Sequence, residues 1–317
     1  MASLSKEHKE LLEKQHYEIV GNHSAVEICS WAKKSLLDKG FCYKQKFYGI
    51  NSHRCCQMSP AAGFCNQKCL LCWRAHEYNE GISMKGKIDN PKIIIQKCIE
   101  AQRKKLSGFK GNAKVNMQKW KEAQEPMHFA ISLTGEPTLY PKLPELIKEL
   151  HKLGKTSFLV TNGTNPAMLV KLKKEDALPT QLYVSLDAPT KELHKRVDVP
   201  LVKNAWENIT KTFRLLPKLK CRKVIRITLV KGLNDCCVGE YAKLIGPTKA
   251  MVEVKAYMHV GFSRKRLERE NMPTYEEVKE FSEKLANELG WKILDEKKES
   301  RVVLLAEKDF ENRIMNF

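Results

Sequence analysis

Residues 156–187 read TSFLVTNGTNPAMLVKLKKEDALPTQLYVSLD, and the order of their patterns decides the fold. An apolar run at 156–162 predicts a strand, leucines at helical spacing in 166–175 predict a helix, and a second apolar run at 181–187 predicts another strand. Strands joined through a helix run parallel, because only a long crossover can bring the chain back to the same edge of a sheet. The pattern extends outward in both directions, with strands expected at 53–58, 127–133, 223–230 and 251–258 and helices at 141–153, 203–215 and 235–245. The fold class is therefore α/β, a βα repeat whose parallel sheet is covered by helices.

Segment 91–124 reads as extra helices interrupted by the Gly-rich linker SGFKGN and inserted between the first and second strands. After a Pro start, PTYEEVKEFSEKLANEL reads as a helix, followed by the strand-like runs WKILDE and RVVLLAEK. This divides the chain into an N-terminal extension, 1–52, a core, 53–262, and a C-terminal extension, 263–317. Within the core the alternation of side chains is informative. Leu182, Val184 and Leu186 share one face while Tyr183, Ser185 and Asp187 share the other. Arg226 and Thr228 oppose Ile225, Ile227 and Leu229, and Glu253 and Lys255 oppose Val252 and Val254. Thr134 and Asn162 end their strands similarly. A face this polar is not expected to pack against a helix. On a curled sheet these residues would line a polar pocket near the C-terminal strand ends, where parallel βα folds place ligands.

Six of the eleven cysteines are patterned: Cys65, Cys69 and Cys72 in CNQKCLLC, and Cys29, Cys42 and Cys55 with twelve residues between neighbours. A C-x3-C-x2-C triplet supplies three thiolates to a 4Fe-4S cube and leaves one iron open for a small molecule. A structural zinc site would call for a fourth Cys or His, and the nearest histidine, His76, lies beyond Trp73. Cys56, Cys98, Cys221, Cys236 and Cys237 follow no ligand spacing and read as small packing residues. The polar, charged start MASLSKEHKELLEK predicts a reducing, cytoplasmic setting without disulfides.

With 42% hydrophobic residues in 317, the chain can bury a large core, and no apolar run approaches the roughly 18 residues that span a bilayer. A formal charge of +19, from 56 Lys+Arg against 37 Asp+Glu, points to a polyanionic partner, nucleic acid first. The basic clusters Arg103, Lys104, Lys105 and Lys110, and Arg264, Lys265, Arg266 and Arg269, are expected to flank the barrel mouth and grip RNA phosphates.

CNQKCLLC at the end of a first strand, followed by an aromatic residue, resembles the signature of radical S-adenosylmethionine enzymes. HRCCQMSPAAGFCNQKCLLCWR, ISLTGEPTLYP, LVTNGT, QLYVSLDA, RITLVKGLN and VEVKAYMHVGFSRKRL more closely resemble the 4-demethylwyosine synthase family, over most of 40–270. The resemblance implies a TIM-like partial (βα)6 barrel, S-adenosyl-L-methionine and two 4Fe-4S clusters. Cys65, Cys69 and Cys72 would hold the first cluster, and Cys29, Cys42 and Cys55 the second. Trp73 would lie near the adenine. Thr134, Gly135 and Glu136, a GGE-like motif with Thr in first place, would receive the methionine ammonium through backbone carbonyls and a carboxylate. Asn162, Ser185, Asp187 and Arg226 are the candidates for the ribose and the methionine carboxylate, and Lys44 matches the family's Schiff-base lysine.

The reaction so implied joins N1-methylguanosine, beside the anticodon of phenylalanine tRNA, to pyruvate, giving the tricyclic core of wyosine. A carbon-carbon lyase acting as a monomer, fed by a separate flavodoxin- or ferredoxin-type donor, fits the archaeal form of the family. Two other readings share some features: another iron-sulfur radical enzyme acting on tRNA, and a zinc-containing tRNA-binding protein. The second cysteine set and the charge weigh against a glycyl-radical activase.

Overall fold

The expected strands all form, mostly shorter than their apolar runs. The computed structural model describes residues 2–317. Its strands are β1 (Glu18–Val20), β2 (Ser24–Glu27), β3 (Cys55–Ser59), β4 (His128–Ile131), β5 (Thr156–Thr161), β6 (Gln181–Ser185), β7 (Arg222–Leu229), β8 (Met251–Ala256), β9 (Lys292–Lys297) and β10 (Val302–Ala306). They make one sheet in the order β1-β2-β3-β4-β5-β6-β7-β8-β10-β9. Strands β3 to β8 pair in parallel and in chain order. Each crossover thus advances one strand in the same direction, which is the order of a partial (βα)6 barrel. Antiparallel strands extend both edges, β2 and β1 beside β3, and β10 and β9 beside β8. One sheet therefore runs through all three expected segments, and the main core draws on Val20 and Val26 as well as Val303 and Leu305.

The helix Pro91–Ser107 departs from the sequence reading. It is the β3-to-β4 crossover rather than an insertion, and its Ile94, Ile95, Cys98 and Ala101 enter the main core. Asn90 caps it by accepting the Lys92 N–H at 2.9 Å, with Pro91 at the first position. The helix Lys191–Val197 and the hairpin β1–β2 lie outside the expected elements. Both are too short for a periodic pattern to emerge from KELHKRV or from strands of three and four residues.

The two faces of the sheet separate as the alternation implies. Leu182, Val184, Ile225, Ile227, Val252 and Val254 pack outward in the main core with the helices. On the inner face, Phe158, Tyr183, Val224 and Met251 pack with Tyr43, Phe47, Tyr48 and Ile50. A helix, Tyr43–Tyr48, does occupy this polar face, plugging the N-terminal half of the barrel. It can do so because its tyrosines bring hydroxyls to the buried carboxylate: Tyr43 Oη and Tyr48 Oη donate to Glu253 at 2.9 and 2.6 Å. Full burial of Phe47 adds roughly 1.5–3 kcal/mol to the plug.

Candidate active site

The CNQKCLLC loop leaves β3 at its C-terminal end and is fixed from three sides. Cys65 N–H donates to the Gly81 carbonyl and to Asn79 Oδ1, both at 3.1 Å. Leu70 N–H donates to Val197 O at 2.8 Å, and Asn66 joins Thr164 and Asn162 at 2.7 and 2.8 Å. On the remaining side, Arg266 donates to the carbonyls of Leu70, Cys72 and Arg74 and pairs with Glu77 at 2.6 Å. With its side chain only 11% exposed, Arg266 is a clamp on the cysteine loop and not a phosphate-gripping residue. Trp73 is 45% exposed, stacked under the Arg74 guanidinium at 3.6 Å, and its carbonyl accepts the Phe262 N–H.

Burial raises all three thiols of the loop, Cys65 to about 12, with Glu136 adding to the effect there and Asp198 at Cys69. Such thiols are poor nucleophiles but remain good ligands once metal replaces the proton. Among the described residues no three His, Cys, Asp or Glu side chains converge on a point that one ion could occupy. A single zinc ion needs ligands at roughly 2.0–2.3 Å. A four-iron cube spaces its ligands more widely.

The TGE segment locks this loop to the sheet. Ser59 Oγ donates to Thr134 O at 2.5 Å and Glu136 N–H to Phe64 O at 2.7 Å. The Glu136 carboxylate differs from the expectation of a free ligand group. Its Oε1 accepts from Thr138 N, Thr138 Oγ1 and Thr161 Oγ1 and its Oε2 from Asn162 N, at 2.6–3.0 Å. These bonds splice the segment after β4 to the end of β5. Gly135 has φ +71 and faces the Ala61 and Phe64 carbonyls, which a Cβ would strike. Gly135→Ala should destabilise the protein by about 2–4 kcal/mol. A denaturant midpoint equal to wild type would show the turn to be tolerant.

Asn162, Ser185 and Asp187 line one small cleft beside the loop, together with Gln67, His194 and Asp198. The last three were not anticipated, although Gln67 lies inside the cysteine motif itself. Gln67 Nε2 meets His194 Nε2 at 3.0 Å, and Cys69 Sγ donates to Gln67 Oε1 at 3.5 Å. Asp187 Oδ1 accepts the Thr228 N–H at 2.9 Å, and burial lifts its carboxyl to about 6. Asp198 is raised further by burial and by Asp187.

Arg226 is not in this cleft. Its Nε and Nη2 donate to Glu253 Oε2 at 3.1 and 2.9 Å, and Nη2 also donates to Tyr43 Oη at 2.8 Å. This places it deeper, beside Lys44, whose Nζ stands 4.3 Å from the Tyr183 ring centroid while the Arg226 Cζ stands 4.6 Å from it. Cys29, Cys42 and Cys55 gather around the same plug: after the larger effect of burial, Cys42 raises the Cys29 thiol, and Cys29 and Cys42 raise that of Cys55. The register that pairs Glu27 with Gln57 carries Cys29 toward Cys55, and Cys42 caps the plug helix. Burial, then the Arg226 charge, lowers the Lys44 ammonium, against opposition from Glu253, Cys42 and Cys55.

The basic clusters divide. Arg103, Lys104 and Lys105 end the helix Pro91–Ser107, which runs back to the N-terminal edge of the sheet, opposite the mouth. Arg103 pairs with Glu125 and Lys104 with Glu18, at 2.7 and 2.6 Å. Lys110 faces the Trp120 ring. Arg264, Lys265 and Arg269 are exposed on the segment after β8, at the C-terminal edge. Of the unpatterned cysteines, Cys56 and Cys98 are buried as packing residues, whereas Cys236 and Cys237 are exposed.

A parallel half-barrel with a three-thiol loop at the C-terminal end of its first parallel strand defines a radical S-adenosylmethionine enzyme. Residues 60–245 match the Radical SAM superfamily model, and residues 249–307 match the model described as Wyosine base formation. The S-adenosyl-L-methionine-dependent tRNA 4-demethylwyosine synthase of Pyrococcus horikoshii is 50% identical over 309 residues, 97% of this chain and 90% of its own. Its Methanocaldococcus jannaschii counterpart is 40% identical, covering 96% of each chain. The solved structure "Structure of TYW1 with a lysine-pyruvate adduct bound" superposes with a TM-score of 0.88 at 37% identity, over 98% of this chain and 99% of that one. The chain belongs to the S-adenosyl-L-methionine-dependent tRNA 4-demethylwyosine synthase family. Membership brings S-adenosyl-L-methionine and a 4Fe-4S cluster.

Proposed function

We propose that this protein condenses N1-methylguanosine of phenylalanine tRNA, next to the anticodon, with the C2 and C3 carbons of pyruvate. The product is tricyclic 4-demethylwyosine, and the C1–C2 bond of pyruvate is broken, as in a carbon-carbon lyase. The observation that carries the reading is the arrangement of two cysteine sets on one concave face, the first at its mouth and the second around Lys44. Cys65, Cys69 and Cys72 hold the first 4Fe-4S cluster, which with S-adenosylmethionine supplies a primary carbon radical able to take hydrogen from a methyl group. Cys29, Cys42 and Cys55 hold a second.

In this reading the protein's own groups do the rest. Asn162, Ser185 and Asp187, on strand ends at the mouth, orient S-adenosylmethionine, and the backbone at Thr134 and Gly135 offers carbonyl acceptors to its ammonium. Trp73 covers the adenine side. Lys44, whose ammonium burial and then the Arg226 charge lower, presents its amine to the C2 carbonyl of pyruvate. A relative solved with a lysine-pyruvate adduct supports that role. The plug helix closes the floor against water, which would quench a radical. A separate flavodoxin- or ferredoxin-type protein delivers electrons to a monomeric, cytoplasmic enzyme. No helix among the described residues is long and apolar enough to cross a membrane.

Anaerobic protein should bind close to eight irons, and joint replacement of Cys29, Cys42 and Cys55 by alanine should remove about half. A full iron complement in the triple variant would sink the second cluster.

On the surface, Arg264, Lys265 and Arg269 face the side from which tRNA must approach, and the target base leaves its stack to enter the chamber. Neutralising these three should flatten the slope of log affinity against log salt by up to about 3. An unchanged slope would place the tRNA footprint elsewhere.

A further inference from the structure

We propose that Cys236 and Cys237 form a redox-active vicinal dithiol, which exchanges with small-molecule disulfides and closes to a reversible disulfide between neighbouring residues.

Of the eleven cysteines these two alone are exposed, the other nine being buried or half-buried. Packing, which accounts for Cys56 and Cys98, does not account for this pair, because neither residue joins a hydrophobic cluster. Neither belongs to a patterned set. What distinguishes them is each other. Their sulfurs stand 3.0 Å apart, with the Cys237 thiol donating to Cys236 Sγ. Among the described residues neither sulfur has another hydrogen-bond partner.

The pair is displayed on a fixed turn between β7 and the helix Val238–Ile245. Asn234, fully buried, accepts the Val230 N–H at 2.6 Å and donates to the carbonyls of Thr228 and Asp187 at 2.9 and 2.8 Å. Asp235 turns back to the Gly232 N–H at 3.0 Å, and the Cys237 carbonyl accepts the Glu240 N–H at 3.0 Å. Between these anchors Cys237 takes φ +59 and ψ +39, a left-handed conformation in which a residue with a β-carbon persists only where its surroundings impose it. Two thiols kept in contact on a rigid turn have little conformational freedom left to lose when a ring closes between them. Through Asn234 the turn is bonded to Asp187, so the dithiol stands beside the cleft that Asp187 lines.

Exchange proceeds in two steps and balances with the small disulfide as the oxidant. One thiol of the pair, as the thiolate, attacks a sulfur of that disulfide, whose S–S bond breaks and releases one thiolate. The second cysteine then attacks the mixed disulfide and releases the other. The protein gives up two electrons and two protons, and the small disulfide is reduced to two thiols. The α-carbons of neighbouring residues lie about 3.8 Å apart, closer than the roughly 4.4–6.8 Å of ordinary disulfides, so the ring is strained and easily reduced again. A couple of this kind suits a reducing compartment, where disulfides are transient.

The test uses anaerobically reconstituted enzyme, freed of reductant and treated with oxidised glutathione. The reaction is stopped with acid, free thiols are alkylated with N-ethylmaleimide, and the protein is digested with trypsin. Cleavage after Lys231 and Lys243 releases residues 232–243, which carry both cysteines and no other. That peptide should be lighter by two hydrogens and hold neither maleimide nor glutathione, and dithiothreitol should restore both maleimide additions. Cys236→Ser and Cys237→Ser each remove the resolving sulfur, so glutathione should stay on the surviving cysteine in at least one of them. Maleimide on both cysteines of the treated wild type, or glutathione retained there, overturns the proposal. So does glutathione-free peptide in both serine variants.

Discussion

Replacing Cys69 with alanine should abolish both 5'-deoxyadenosine release and tRNA modification, by more than about 10³-fold each. The residue sits at the centre of a loop whose backbone is held by Val197, Asp198 and Arg266, so its neighbours keep their places when the sulfur is lost. On the proposed reading, what disappears is one of three cluster ligands. A cluster on two thiolates is labile, and acid-base groups of the cleft cannot make a radical. Cys98→Ala is the matched control, since Cys98 is buried among the main-core side chains and belongs to neither patterned set. That variant should cost about 1–2 kcal/mol of stability and retain activity. Deoxyadenosine release at wild-type level from Cys69→Ala would remove the loop from the chemistry.

Lys44→Ala should separate the two outputs that Cys69→Ala removes together. The amine lies on the plug helix and is not among the groups lining the cleft of Asn162, Ser185 and Asp187. Cleavage should therefore continue, uncoupled, while tricyclic base falls by on the order of 10²-fold or more. The plug itself should persist, because Phe47, Tyr48 and the hydroxyl bonds to Glu253 hold it. Quantifying deoxyadenosine and modified nucleoside in one reaction gives the ratio directly. A normal yield of tricyclic base would remove Lys44 from the mechanism.

The parallel core was legible because apolar runs alternating with helical leucines leave little choice of topology, and the two faces of β6, β7 and β8 followed from alternation alone. The cysteine loop was legible from spacing. What pattern could not supply was partnership across the chain. Arg266 looks like its neighbours Arg264 and Lys265 in sequence, yet it folds under the loop that begins 201 positions before it, at Cys65, and is lost to solvent. Arg226 looked like a ligand residue because it alternates inward, but the direction of its guanidinium depends on Glu253 of the next strand and Tyr43 of a distant helix. The same long-range pairing hid the plug. YKQKFY is a six-residue helix with no periodicity to read, and it is held by the inner-face side chains it packs on and by the carboxylate the barrel offers its hydroxyls. The helix Pro91–Ser107 reads as an insertion because more than thirty residues separate it from β3, which obscures the βα repeat.

The most direct measurement is the fate of the methyl hydrogens. Reconstituted enzyme, pyruvate, S-adenosylmethionine and dithionite are incubated with tRNA whose N1-methylguanosine carries a fully deuterated methyl group, and deoxyadenosine and tRNA are analysed by mass. The account predicts deuterium in deoxyadenosine, formed in step with tricyclic base that depends on pyruvate. Tricyclic base accompanied by deoxyadenosine free of deuterium would contradict it.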